Sequence, residues 1–193
     1  MSLIVIIGII VILGGLCWSQ YNTMVTQSAE VDLAVGNLNA QYQRRSDLLN
    51  NLIEVVKREA DYEKSTLKDI VAERARAANG GRPVLDPANL TPEQIEAFNK
   101  NAASEQRMIS VIIENYPQLK ATEAYNKLMD ETSGTENRVN VSRERFNTAV
   151  KNYNLAVQRF PGVLFAKMFG YKTKAYFENK PGTEDAPDYK NKF

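Results

Sequence analysis

No histidine occurs in the 193 residues, the only cysteine is Cys17, and neither lysine nor arginine appears before Arg44. Without imidazole the chain cannot build Ser-His or Cys-His nucleophile pairs, histidine acid-base catalysis, or the Glu-x-x-His ligand sets of helical-bundle metal centres. One cysteine permits no intradomain disulfide, and a thiol set in an apolar run is a poor nucleophile because low dielectric disfavours the thiolate. Gly80-Gly81 is not followed by Lys-Ser or Lys-Thr, so no phosphate-binding glycine loop is present. The 24 basic and 23 acidic residues are interspersed, for a net charge of +1. That mixture supplies neither the basic stripe of a nucleic-acid binder nor a polybasic cluster beside a membrane span. Catalysis is left only a site of surface carboxylates around Mg²⁺ or Ca²⁺. The expectation is a protein that is not an enzyme, with no catalytic, cofactor or metal residues and no nucleic-acid partner.

What the chain does have begins at once. Leu3, Ile4, Val5, Ile6, Ile7, Ile9, Ile10, Val11, Ile12, Leu13, Leu16 and Trp18 make a run from Leu3 to Trp18 that contains no charge. As a helix that run spans about 24 Å, short of the ~30 Å hydrocarbon core, a mismatch that local thinning or oligomerisation accommodates. A secretory leader wants a basic n-region, and a lipoprotein leader wants a small residue where Leu16 precedes Cys17. The expectation is therefore an uncleaved single-pass anchor over residues 1–20, in contact with membrane lipid. The missing amino-terminal charge favours a short tail outside and the bulk of the chain on the cytoplasmic side.

From Tyr21 to Asn79 there is no proline and one glycine, Gly36. Tyr21, Val35, Tyr42, Leu49, Val56 and Ile70 recur in one heptad position, and Met24, Val31, Leu38 and Leu52 in the other, with Ser28, Arg45, Glu59 and Glu63 as interruptions. This predicts a first helix of about 88 Å. Asn79-Gly80-Gly81-Arg82-Pro83 ends it. Thr91-Pro92-Glu93-Gln94 has the form of a helix start, Thr91 capping and Gln94 placed to close a capping box. The stripe Ile95, Phe98, Ala102, Ile109, Ile112, Tyr116 follows, with Glu105 its exception, until Tyr116-Pro117 breaks it.

A third helix begins between Pro117 and Thr122 and carries Tyr125, Thr132, Val139, Phe146, Tyr153 and Phe160 at spacings of seven or fourteen. Its phase survives Ser133-Gly134, which favours one helix to Phe160, although Ser133-Gly134-Thr135-Glu136 also has capping-box spacing. Arg138, Asn147 and Asn154, with Glu136 and Asn137, lie beside the stripe and read as interhelical partners that fix register. Val163 to Phe169 is a short apolar helix, placed either to cover the end of the bundle or to touch the membrane. Beyond Tyr171 the chain is polar and reads as an irregular tail. The fold class is all-α: an antiparallel bundle of three or four long helices over residues 21–170, behind a transmembrane helix and ahead of a polar tail at 171–193.

Glu114-Asn115-Tyr116-Pro117, Gly134-Thr135-Glu136-Asn137-Arg138-Val139, Arg143-Glu144-Arg145-Phe146-Asn147 with Tyr153-Asn154, and Arg159-Phe160-Pro161 closely resemble the LemA family of bacterial membrane proteins. Tyr21-Asn22 and the run from Asn51 to Lys57 are similar to it as well, and the family often has tyrosine where this chain has Phe146. The resemblance implies a helical bundle behind an amino-terminal anchor in the bacterial inner membrane, with the amino terminus outside, and brings no catalytic residues. The expected role is a scaffold that self-associates into a homo-oligomer. The alternative is an adaptor or regulator of another membrane protein, a transporter or protease. Self-association is expected through Tyr21, Met24, Val31, Val35, Leu38 and Tyr42, a stripe that a short second helix returning from Asn79 cannot reach.

Overall fold

The computed structural model describes residues 2–59, 68, 72 and 83–177. The continuation of the first helix past Glu59, its expected end at Asn79 to Pro83, and the tail after Phe177 fall on residues outside these, Pro83 excepted. Helix α1 (Ser2–Glu59) runs unbroken from the apolar segment into the body. Its 58 residues correspond to a rod of about 87 Å. A loop with a single 3₁₀ turn, Pro87–Asn89, leads to α2 (Pro92–Asn115). A second 3₁₀ turn, Pro117–Ala121, leads to α3 (Glu123–Gln158) and then to α4 (Gly162–Phe169). No strand occurs among the described residues, and the fold is all-α.

The helix boundaries follow local chemistry. Thr91 Oγ1 accepts from the Gln94 N–H at 3.3 Å, and Pro92 needs no partner for a donor it lacks. The capping box closes differently from the expectation: Gln94 Oε1 accepts from the Asp86 N–H at 3.4 Å, tying the preceding loop to the helix. Thr122 caps α3 through its hydroxyl, which accepts from the Tyr125 N–H at 3.4 Å. As the phase of its stripe predicts, α3 passes through Ser133-Gly134 as one helix. Gly170, at φ 77°, terminates α4 in the left-handed conformation that glycine adopts without a Cβ clash.

α1 and α3 form the antiparallel pair. Early residues of one meet late residues of the other: Gln20 lies at Gly162, the Arg143 guanidinium stands 5.6 Å from the Tyr42 ring, and Arg45 pairs with Glu136. α2 runs the other way from the expectation. Phe98 meets Tyr42 edge-on at 4.5 Å, Arg45 donates to Gln106, and Met108 to Ile112 pack with Leu49 to Val56. It is therefore parallel to α1 and antiparallel to α3. Its start, with Leu85 and Leu90 of the preceding loop, lies beside the middle of α1.

The core is divided. One cluster joins Met24, Val31, Val35, Leu38 and Tyr42 of α1 to Phe98 and Ala102 of α2 and to Val139, Phe146, Val150, Tyr153 and Val157 of α3. The other joins Leu49, Leu52, Ile53 and Val56 to Met108, Ile109, Ile112, Tyr116, Leu119 and Tyr125. Between them all three helices contribute buried polar residues: Arg45 and Ser46, Glu105, and Thr132 and Thr135. Five of the expected α3 stripe residues, Tyr125, Thr132, Val139, Phe146 and Tyr153, are buried, but Phe160, just past the end of the helix at Gln158, is 81% exposed.

Candidate functional site

The residues expected to join subunits lie inside the chain. Met24, Val31, Val35, Leu38 and Tyr42 are between 0% and 3% exposed, covered by α3, α2 and the loop before it. Only Tyr21 of that set is exposed, at 42%. The reason is the reach of α3: its 36 residues span about 54 Å, enough to lie along α1 down to its exit from the apolar segment. The stripe is a real dry seam, but its partner belongs to the same chain. Leu3 to Trp18 behaves oppositely, with every large apolar side chain from Leu3 to Leu13 more than half exposed. Among the described residues none buries the run from Leu3 to Leu13, as expected of a helix long and apolar enough to cross a membrane.

The buried polar layer draws on all three long helices. Arg45, 4% exposed, sets its Nε 2.8 Å from Glu136 Oε1 and donates through a terminal nitrogen to Gln106 Oε1. One guanidinium thus ties α1 to both α2 and α3. A guanidinium is suited to this because its fork presents several donors in a fixed geometry. Arg143 completes the layer on the Tyr42 side: it donates to Asn99 Oδ1 at 3.0 Å and stands over the rings of Tyr42 and Phe177. Burial pushes the Tyr42 phenol above its ordinary pKa, opposed by the charges of Arg143 and Arg45. Glu136 is thus an interhelical partner, as its place in the sequence suggests, whereas Arg138 donates to Thr135 of its own helix at 2.8 Å.

Asn147 and Asn154 do something the sequence reading missed. They bind the backbone of an extended strap, residues 171–177, laid on α3. Asn147 Nδ2 donates to the Phe177 carbonyl at 3.0 Å while its Oδ1 accepts from the Phe177 N–H at 2.9 Å. Asn154 repeats this at Lys174, both distances 2.8 Å. Tyr153 donates to the Lys172 carbonyl at 2.9 Å, and the Ala175 N–H donates to the Leu90 carbonyl at 3.0 Å. Asn39 holds the other loop by the same device, donating to the Leu85 carbonyl and accepting from its N–H at 3.0 and 3.2 Å. The start of the expected polar tail is irregular but packed: Phe177 is 6% exposed and meets Phe146 edge-on at 5.3 Å. Lys174 lies over the Tyr153 ring at 5.0 Å, and burial pushes its ammonium below the usual lysine pKa against the pull of Asp32 and Asp86. A signal was available in the amide pair seven residues apart on α3, but it named no partner.

Beside Phe177 a groove runs between α2 and α3, lined in part by Arg45, Asn99, Gln106, Asn140, Arg143 and Glu144. Its lining mixes the amides Asn99, Gln106 and Asn140 and the Arg45–Glu136 ion pair with apolar Ala102, Val139 and Leu155. Among the described residues no group of three or more His, Cys, Asp or Glu is placed to hold a metal ion.

Comparison with known proteins gives a consistent picture. The model of the LemA family matches residues 34–190. Two magnetosome proteins of Paramagnetospirillum magneticum, MamQ 2 and MamQ 1, are each 23% identical over 179 residues, covering 84% of this chain and 66% of their own length. MamQ of Magnetospirillum gryphiswaldense, also a magnetosome protein, is 24% identical over 181 residues with the same coverage. The chain thus spans just under two thirds of the length of these relatives.

Proposed function

The chain belongs to the LemA family, and on that footing we propose that it is a single-pass, membrane-anchored scaffold that self-associates into a homo-oligomer through the outward face of α1. Its role is assembly rather than catalysis, at the bacterial inner membrane with the body on the cytoplasmic side. The observation that carries this reading is a second seam on α1, opposite the one that α3 fills. Trp18, Val25 and Leu33 are 72%, 42% and 61% exposed, and with Asn22, Ala29, Gly36 and Ala40 they recur every three or four residues without a charge. That spacing puts them on one face in the manner of a coiled-coil seam. All four of the added residues are exposed, and a Cβ on Gly36 would meet nothing within 4 Å. Small residues let a second helix approach closely, and Asn22 at such a seam would select register. The face continues in phase with Ile4 and Val11 of the apolar segment, so two anchors in one bilayer would bring it together.

Native mass spectrometry of the full chain in lipid nanodiscs tests the proposal. The wild type is expected as a defined homo-oligomer, and Val25→Glu with Leu33→Lys as a monomer of unchanged helical content. A wild-type monomer would remove the scaffold reading and leave the alternative, an adaptor for a transporter or protease, with the groove beside Phe177 as its docking place. An oligomer that survives the double substitution would remove this surface but not self-association.

A further inference from the structure

Helix α4 presents different chemistry on its two sides. Inward, Gly162 and Ala166 are buried and Phe165 packs on the core. The approach is so close that a Cβ on Gly162 would stand 2.2 Å from the Ala156 carbonyl oxygen and 3.3 Å from Gln20 Oε1. Phe169 meets the Tyr21 ring at 5.1 Å. These contacts fix α4 at the level of Gln20 and Tyr21, about 5 Å along α1 from Trp18, where the apolar segment gives out. Outward, Leu164 and Met168 are 60% and 61% exposed, four residues apart on the helix and so on one side, and Phe160, 81% exposed, precedes the helix across Pro161.

The charge carried by this segment is of one sign: Arg159, Lys167 and Lys172 are its ionic side chains from Arg159 to Lys172, all exposed, and no carboxylate interrupts them. Next to the span in sequence there is no basic cluster, since the first cation is Arg44. Folding supplies one: the return of α3 to the exit of α1 delivers α4 and its cations to the place where a juxtamembrane basic patch would act.

We propose that α4 is a second membrane contact, seated on the surface of an anionic bilayer with Phe160, Leu164 and Met168 in the boundary between headgroups and acyl chains and Arg159 and Lys167 among the headgroups. The position next to the span, the apolar stripe and the basic flank are the three features of an interfacial helix. Long basic side chains can lay their stems on the apolar surface while their charged ends reach phosphate. A lipid surface suits this face better than a second copy, because a second copy would bring the same cations against these. The inference does not depend on the proposed self-association.

Fluorescence of the full chain in vesicles decides it. In a Cys17→Ser background, single cysteines at Leu164 and Met168 carry an environment-sensitive nitrobenzoxadiazole probe, and Val84→Cys, 60% exposed in the wild type and beside the middle of α1, carries the reference. In vesicles of phosphatidylcholine and phosphatidylglycerol, probes at 164 and 168 should emit to the blue of the reference. Lipids with a quencher near the headgroup should quench them several-fold more. Arg159→Gln with Lys167→Gln should reduce that quenching, with helical content by circular dichroism unchanged. Emission matching the reference would overturn the proposal, and so would a blue shift without lipid quenching, which would put protein over the face.

Discussion

Two faces of one helix, over the same stretch from Trp18 to Tyr42, meet different surroundings. The inward face is made of Met24, Val31, Val35, Leu38 and Tyr42, all buried, while Val25 and Leu33 on the outward face are exposed. Both repeat at heptad spacing, so periodicity alone distinguishes neither. What separates them is side-chain volume: the inward face is mostly large, with Ala34 its buried small residue, as a core packed at crystal-like density requires, and the outward face interleaves Val and Leu with Ala29, Gly36 and Ala40. A filled seam and an open one can thus be told apart by what lies between the large residues.

The largest test of this contrast is to place charges on each face in turn. Val31→Glu with Leu38→Lys should unfold the body, since two charges would be buried in a dry seam at several kcal/mol each, and helical content outside the anchor should collapse. Val25→Glu with Leu33→Lys should change stability by less than about 0.5 kcal/mol per site. If circular dichroism melts of the two double variants coincide, the assignment of inner and outer faces is wrong.

Next in size, Phe146→Ala should destabilise by ~3 to 5 kcal/mol, the usual cost of truncating a buried aromatic. Phe146 is fully buried between α1 and the strap; an unchanged denaturation midpoint would mean that α3 does not fill the seam.

A smaller effect probes the strap. Asn147→Ala and Asn154→Ala should each cost ~1 to 3 kcal/mol, because truncation leaves a backbone N–H and C=O without their partners. Tryptic cleavage at Lys172 and Lys174 should speed up in both. Equal cleavage rates in wild type and variants would show that the amides do not hold the strap.

The smallest effect is in alkali. The Tyr42 phenol is raised by burial, so its contribution to stability is complete below the ordinary tyrosine pKa of about 10 and is lost as pH rises through the higher folded value. Lys174, lowered by burial, works in the other direction and is common to wild type and variant. The difference in stability between wild type and Tyr42→Phe should therefore shift toward the variant only above about pH 10. A difference that is flat to pH 12 would contradict the burial of that hydroxyl.

Helix boundaries were legible in the sequence because they are written locally: Thr91-Pro92, Tyr116-Pro117 and Gly170 each act on the residues beside them. The continuity of α3 was legible because phase is preserved across Ser133-Gly134. The direction of α2 was not, since a helix stripe repeats identically whether read toward or away from the membrane. Nor was the owner of the α1 seam, which depends on the length of α3 and its return to Gln20. The strap escaped for a related reason: an extended segment held by side-chain amides needs no hydrophobic period of its own. The candidate contact face on α1 was passed over because its alanines and glycine score weakly as apolar residues.

Asn147 and Asn154 also set a gauge. Seven residues of α-helix rise about 10.5 Å, and three residues of extended chain, from Lys174 to Phe177, advance about 10 Å. The two amides are thus pins at the pitch of the peptide they grip, and both can engage only in one alignment. Moving the strap by one residue would take each pin off a matched N–H and C=O pair and turn Phe177 away from Phe146. The strap therefore fits in a single position or comes away as a unit, which makes the junction between the body and the rest of the carboxyl terminus an indexed fastening rather than a sliding one.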